Sequence, residues 1–236
     1  MVSFAGQVNS LPLGEAHPNH KTMINISVKA NAVTNLTDAR YFAARGVDWM
    51  GFVLEPGHEN AVSKEQFEAI REWVDGVKFV GEFDLTPADE ILALATELKL
   101  DAVQVGMFAE RDPLMKLKGL TVIKEVVIAE DMEETDILEH FLDYSPFCEY
   151  FLLDLRKSGI TWTQIENKEL YPLSMFQNLC KHNKVFLDIE MSAANLPAII
   201  GTLKPYGICV TGGSEEKVGY KSFDELDEIF DLFEMA

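Results

Sequence analysis

Basic side chains are scarce in this chain. Its 236 residues hold 20 Lys and Arg against 39 Asp and Glu, a formal net charge of −19. Nucleic-acid binding needs cations that replace phosphate counterions, so this balance argues against that class. An anionic membrane surface is disfavoured for the same reason. The charge also opposes a phosphorylated ligand unless a local site overrides the global field. Cysteine is sparse too. Cys148, Cys180 and Cys209 are scattered and odd in number, which gives neither a disulfide framework nor metal-ligand spacing. Reduced thiols in the cytoplasm are the simple expectation. No apolar run approaches the ~20 residues a membrane span requires. Residues 1–22 lack the basic start and apolar core of a signal peptide. That stretch, rich in Gly, Pro, Asn and His, reads as a loosely ordered extension or an upstream start that is not always used.

What is present is a large apolar fraction, 47%, in a regular alternation over residues 23–236. Ile24, Ile26 and Val28 open a strand, and Asn35 or Thr37 can cap a helix that carries Asp38 in its first turn and ends at Gly46. Trp49–Leu54 reads as a buried strand. Further strands are expected at 77–83, 101–105, 120–128, 150–154, 184–188 and 207–211. Helices are expected at 63–74, 87–99, 112–116, 137–144 and 172–182, then from a Ser192 cap to 203, and at 223–233. Short, continuous, apolar strands suit a parallel sheet covered on both faces. Eight of them alternating with helices point to a single α/β domain, a (β/α)₈ TIM barrel, with a doubly wound open sheet as the alternative.

The opening βαβ unit resembles that of the phosphoribosylanthranilate isomerase family, the Amadori isomerases of tryptophan biosynthesis. That family reads Lys-Ile-Cys-Gly-(Ile/Leu)-Thr, then Asp-Ala in a helix, then Gly-Ala-Asp-x-(Ile/Leu)-Gly-Phe. Lys29, Thr34, Asp38, Ala39, Gly46, Asp48, Gly51 and Phe52 match. The resemblance continues across almost the whole barrel, which favours the closed ring over the open sheet. It implies isomerisation of N-(5′-phosphoribosyl)anthranilate, no cofactor, and a small phosphorylated metabolite as ligand.

The resemblance also marks where function would sit, at the C-terminal strand ends. Asn31 stands where the family has its general-base cysteine. An amide cannot usefully accept a proton, so activity is expected to be weak or altered. The alternative is a non-catalytic barrel relative that binds an anionic metabolite or a protein partner. Asn60 stands where a substrate-contacting Arg is common, with His58 nearby. Gln104 matches a family Gln and reads as a structural or ligand-facing amide. Asp154 matches the family's general acid, which protonates the ribose ring oxygen; an Asp held by Arg156 or Lys157 is the plainer reading. The glycine pair after strand seven is replaced by Asp188-Ile-Glu190, whose side chains and charge oppose phosphate. Thr211, Gly212, Gly213 and Ser214 keep the outline of the family's phosphate loop. Asp188, Glu190, Glu125 and Glu82 could make a carboxylate-rich mouth, but no spacing fixes a metal site.

Overall fold

The computed structural model describes residues 26–128, 131–212, 214–217 and 220–233, with backbone placement alone for 214–217 and 220–221. The expected extension at 1–22 lies outside the described residues, as do Ile24 and Gly213.

Eight parallel strands close into a ring in chain order. They are β1 (Ser27–Asn31), β2 (Trp49–Val53), β3 (Lys78–Phe83), β4 (Ala102–Val105), β5 (Thr121–Val127), β6 (Tyr150–Asp154), β7 (Val185–Asp188) and β8 (Gly207–Thr211). The ring is sealed by β1 against β8, with Ser27 opposite Gly207 and Asn31 opposite Thr211. Around it run α1 (Leu36–Ala44), α2 (Lys64–Arg71), α3 (Ala88–Glu97), α4 (Arg111–Leu114), α5 (Glu134–Tyr144), α6 (Trp162–Glu166), α7 (Leu173–His182), α8 (Leu196–Leu203) and α9 (Asp224–Phe230). The chain is thus a (β/α)₈ barrel, and the open sheet is excluded.

Local chemistry sets the helix ends. Asn35 Oδ1 accepts from the Asp38 N–H at 3.0 Å and starts α1. Gly46, at φ +73°, then turns the chain into β2. Ser63 and Gln66 form a reciprocal capping box on α2. Three features depart from the sequence reading. Ser192 does not cap α8; the helix begins after Asn195, whose Oδ1 instead accepts from the Ser192 N–H at 2.8 Å. The helix α6 and an antiparallel pair, β9 (Ser214–Lys217) and β10 (Tyr220–Ser222), were not anticipated.

Strand alternation divides the core. Outward residues such as Ala30, Phe52, Val103, Phe151 and Leu187 pack beneath the helices. A buried Phe, Leu or Met in such a layer contributes about 1.5–3 kcal/mol. Inward residues fill the ring in two tiers. The lower tier is apolar: Trp49, Val80, Ala102, Ile123, Tyr150, Leu152, Phe186 and Cys209. The upper tier, one residue pair further along most strands, is polar.

Candidate functional site

The upper tier belongs to the C-terminal strand ends, where β1 contributes Lys29 and Asn31, β3 Glu82, β4 Gln104, β5 Glu125, β6 Asp154 and β7 Asp188. Lys29, Glu82, Glu125, Asp154 and Asp188 are all buried. They survive burial because they are paired.

One chain of contacts crosses the mouth. Lys29 Nζ donates to Glu82 Oε1 at 2.5 Å and to Asn31 Oδ1 at 2.6 Å. Asn31 Nδ2 donates to Asp188 Oδ2 at 2.9 Å. Arg156 Nε donates to Asp188 Oδ1 at 3.0 Å. Gly51 leaves room for this chain, because a Cβ there would lie 1.8 Å from Glu82 Oε1 and 2.9 Å from Lys29 Nζ. A second chain adjoins it on β5 and β6. Lys157 Nζ bonds Glu125 Oε1 and sits 3.6 Å from Asp154 Oδ2. The Lys157 backbone N–H donates to Asp154 Oδ1 at 2.8 Å.

Burial raises the pKa of Asp188, aided by Asp154, while Arg156 lowers it less. Burial likewise raises Glu125 against the opposing pull of Lys157. Glu55 shows the reverse balance. Burial pushes it up, but N–H groups of Asp84 and Leu85 and the Thr86 hydroxyl outweigh this and leave it below the ordinary range.

A cavity of about 290 Å³ opens between these walls. Asn31, Gln104, Asp154 and Thr211 all line it, together with Asp188, Arg156, Lys157, His58 and Asn60. Gln104 Oε1 is buried with no hydrogen-bond partner among the described residues. An orphan acceptor in a polar cavity is placed for a ligand donor or water. His58 is turned partly inward to its own loop, where Nδ1 accepts from the Asn60 N–H at 3.1 Å. A neighbouring cavity of about 420 Å³ is lined by Thr211, Gly212, Ser222, Arg156, Asp224 and Glu225. Gly213 lies outside the described residues, as does the side chain of Ser214.

The expected grouping of Asp188 with Glu190 does not form. Asp188 lies in the mouth, whereas Glu190 is exposed and lines a separate groove with Trp162 and Ser192. Period-two alternation would place both on one face, but the strand ends at Asp188 and Glu190 falls beyond it. Among the described residues no group of three or more His, Cys, Asp or Glu is arranged to hold a metal ion. No helix among them is long and apolar enough to cross a membrane.

Sequence reading missed Lys124. It points out of the ring toward α5, fully buried, and donates to Gly106 O at 2.6 Å and Met107 O at 2.9 Å. The Tyr144 ring lies 4.9 Å from its Nζ. Burial holds its pKa down to about 8. A lysine inside Thr-Val-Ile-Lys-Glu-Val-Val was the available signal.

The family model described as N-(5′-phosphoribosyl)anthranilate (PRA) isomerase matches residues 28–232. An N-(5′-phosphoribosyl)anthranilate isomerase of Caldanaerobacter subterraneus subsp. tengcongensis is 25% identical over 202 residues, covering 85% of this chain and 94% of that protein. The crystal structure of a phosphoribosyl anthranilate isomerase from Thermus thermophilus matches with a TM-score of 0.69 at 26% identity, covering 88% of this chain and 98% of that one. A phosphoribosyl anthranilate isomerase in complex with reduced 1-(o-carboxyphenylamino)-1-deoxyribulose 5-phosphate matches in fold, with a TM-score of 0.68 at 24% identity over 90% of this chain and 100% of that one.

Proposed function

This chain belongs to the N-(5′-phosphoribosyl)anthranilate isomerase family, and from that premise we propose that its barrel mouth catalyses the Amadori isomerisation of N-(5′-phosphoribosyl)anthranilate, more slowly than a member with a thiol at position 31. The observation that carries the reading is Asp154. It stands at the end of β6, faces the cavity, and is held by the Lys157 backbone N–H. From there it delivers a proton to the ribose ring oxygen as the C1–O bond opens. Gln104 offers its unpaired Oε1 to a ligand hydroxyl or N–H. The phosphate lies toward Thr211 and Gly212, with Arg156 as the nearby cation.

That phosphate subsite is weak for a physical reason. Asp224 and Glu225 line the same cavity, and two unit charges 4 Å apart interact by about 1 kcal/mol in water and by more in a sheltered site. A cytoplasmic setting suits the free thiols of Cys148, Cys180 and Cys209. No cofactor enters this chemistry.

The test is turnover of phosphoribosylanthranilate, followed by the loss of anthranilate fluorescence. Asp154→Asn should lower kcat by about 10²–10⁴-fold, the usual weight of a positioned acid. Asn31→Cys should raise it. Unchanged turnover in Asp154→Asn would overturn the assignment. A second reading, a non-catalytic binder of an anionic metabolite, draws on Arg156 and Lys157, the cations that line the mouth cavity. It is favoured if the wild type has no turnover while inorganic phosphate shifts the NMR resonances of Thr211 and Gly212.

A further inference from the structure

The amide at position 31 leaves the isomerisation without its proton acceptor on β1, yet a carboxylate lies one hydrogen bond away. We propose that Asp188 is the general base of this site and that Asn31 is a positioning residue that aims it. The inference rests on the isomerase reading above.

Three geometric facts support it. Asp188 lines the same cavity as Asp154, and the two are register partners on adjacent strands. The Asn31 amide donates to Oδ2 of Asp188, while its own Oδ1 is held by Lys29. Asn31 is therefore fixed at both ends and cannot rotate away without breaking the mouth. Arg156 holds the other oxygen, Oδ1, so Oδ2 keeps acceptor capacity beyond its one bond from Asn31. Arg156 pairs with Asp188, whereas Lys157 pairs with Glu125 and lies 3.6 Å from Asp154. Burial raises Asp188 toward the working pH, where a base is most effective.

The step balances. After Asp154 has protonated the ring oxygen and the C1–O bond has broken, the open form is an iminium. Asp188 takes the C2 proton. The C2–H electron pair becomes the C1=C2 bond, and the C1=N π pair returns to nitrogen. The product is the neutral enolamine, with the proton on Asp188.

The charged and titratable groups facing Asp188 are Lys29 on β1, Asp154 and Arg156 from β6 and its loop, and Cys209 on β8. Removing Arg156 removes a cation that lowers Asp188. The acid limb of kcat against pH should therefore move to higher pH in Arg156→Gln. Asp188→Asn should lower kcat by at least 100-fold with its melting transition intact. Asn31→Cys in the Asp188→Asn background should recover at least tenfold, because a thiol restores an acceptor beside the lost one. A structural role for Asp188 would leave the acid limb unmoved in Arg156→Gln. If Asp188→Asn does not fold, the Arg156→Gln limb decides, and an unmoved limb overturns the proposal. A wild type that turns over while Asp188→Asn keeps a third or more of its kcat overturns Asp188 alone. A wild type with neither turnover nor exchange of the substrate C2 hydrogen in D₂O overturns the isomerase reading with it.

Discussion

The two tiers inside the ring are built on opposite principles. The lower tier is held by aromatic contact: Trp49 packs edge-on against Tyr150 at 5.3 Å and against Phe186 at 5.8 Å. The upper tier is held by charge: Lys29 on Glu82, Arg156 on Asp188, and Lys157 on Glu125. The lower tier gains stability from each apolar atom removed from water. The upper tier gains little, because desolvation offsets most of the attraction. What the upper tier obtains is fixed orientation of polar groups around a cavity. Stability and chemistry are thus separated along one axis of the same ring.

The contrast is sharpest at Lys29. Lys29→Met should destabilise by about 3–5 kcal/mol, since it leaves Glu82 buried without its cation. The double variant Lys29→Met with Glu82→Leu should recover most of that loss in urea denaturation. A double variant as unstable as the single would show that the upper tier contributes stability in its own right. In the lower tier, Leu152→Ala should cost about 2–4 kcal/mol through lost burial and a residual cavity. That cost should be the same at pH 6 and pH 8, because no titrating group is left exposed by it.

Lys124 tests a buried charge outside the ring. Its native pKa, about 8, lies below the ordinary 10.5. Between those values the unfolded chain holds a proton that the native chain lacks. Wild-type stability should therefore rise with pH across that window relative to Lys124→Met, by on the order of 2 kcal/mol. A flat difference between the two melting curves would show that the ammonium is solvated. The smallest effect belongs to the periphery: Asn35→Ala removes the α1 cap bond and should cost about 1 kcal/mol in the same denaturation assay.

All eight strands were legible in the sequence because parallel strands covered on both faces are short, continuous apolar runs, as in Tyr150–Asp154. The helix α6 was missed although Thr161 and Gln164 form a capping box; five residues are too few to show a helical period. Asp154 was legible as a strand-end acid. The link from Asn31 to Asp188 was not, because it joins residues 157 apart in sequence, and only ring closure brings their strands together. Glu190 was grouped with Asp188 by proximity in sequence alone, and leaving the strand separated them.

The seam between β1 and β8 has a consequence for synthesis. Asn31 meets Thr211, so about 180 residues emerge after β1 before its second neighbour exists. At ribosomal rates of ~5–20 residues per second, one edge of β1 stands open for roughly 10–40 s. An open edge is a template for pairing with other chains, and a charged side chain in its middle discourages that. Lys29 occupies that middle position. The ammonium that later anchors the mouth thus also guards the unfinished barrel against joining a stranger's sheet.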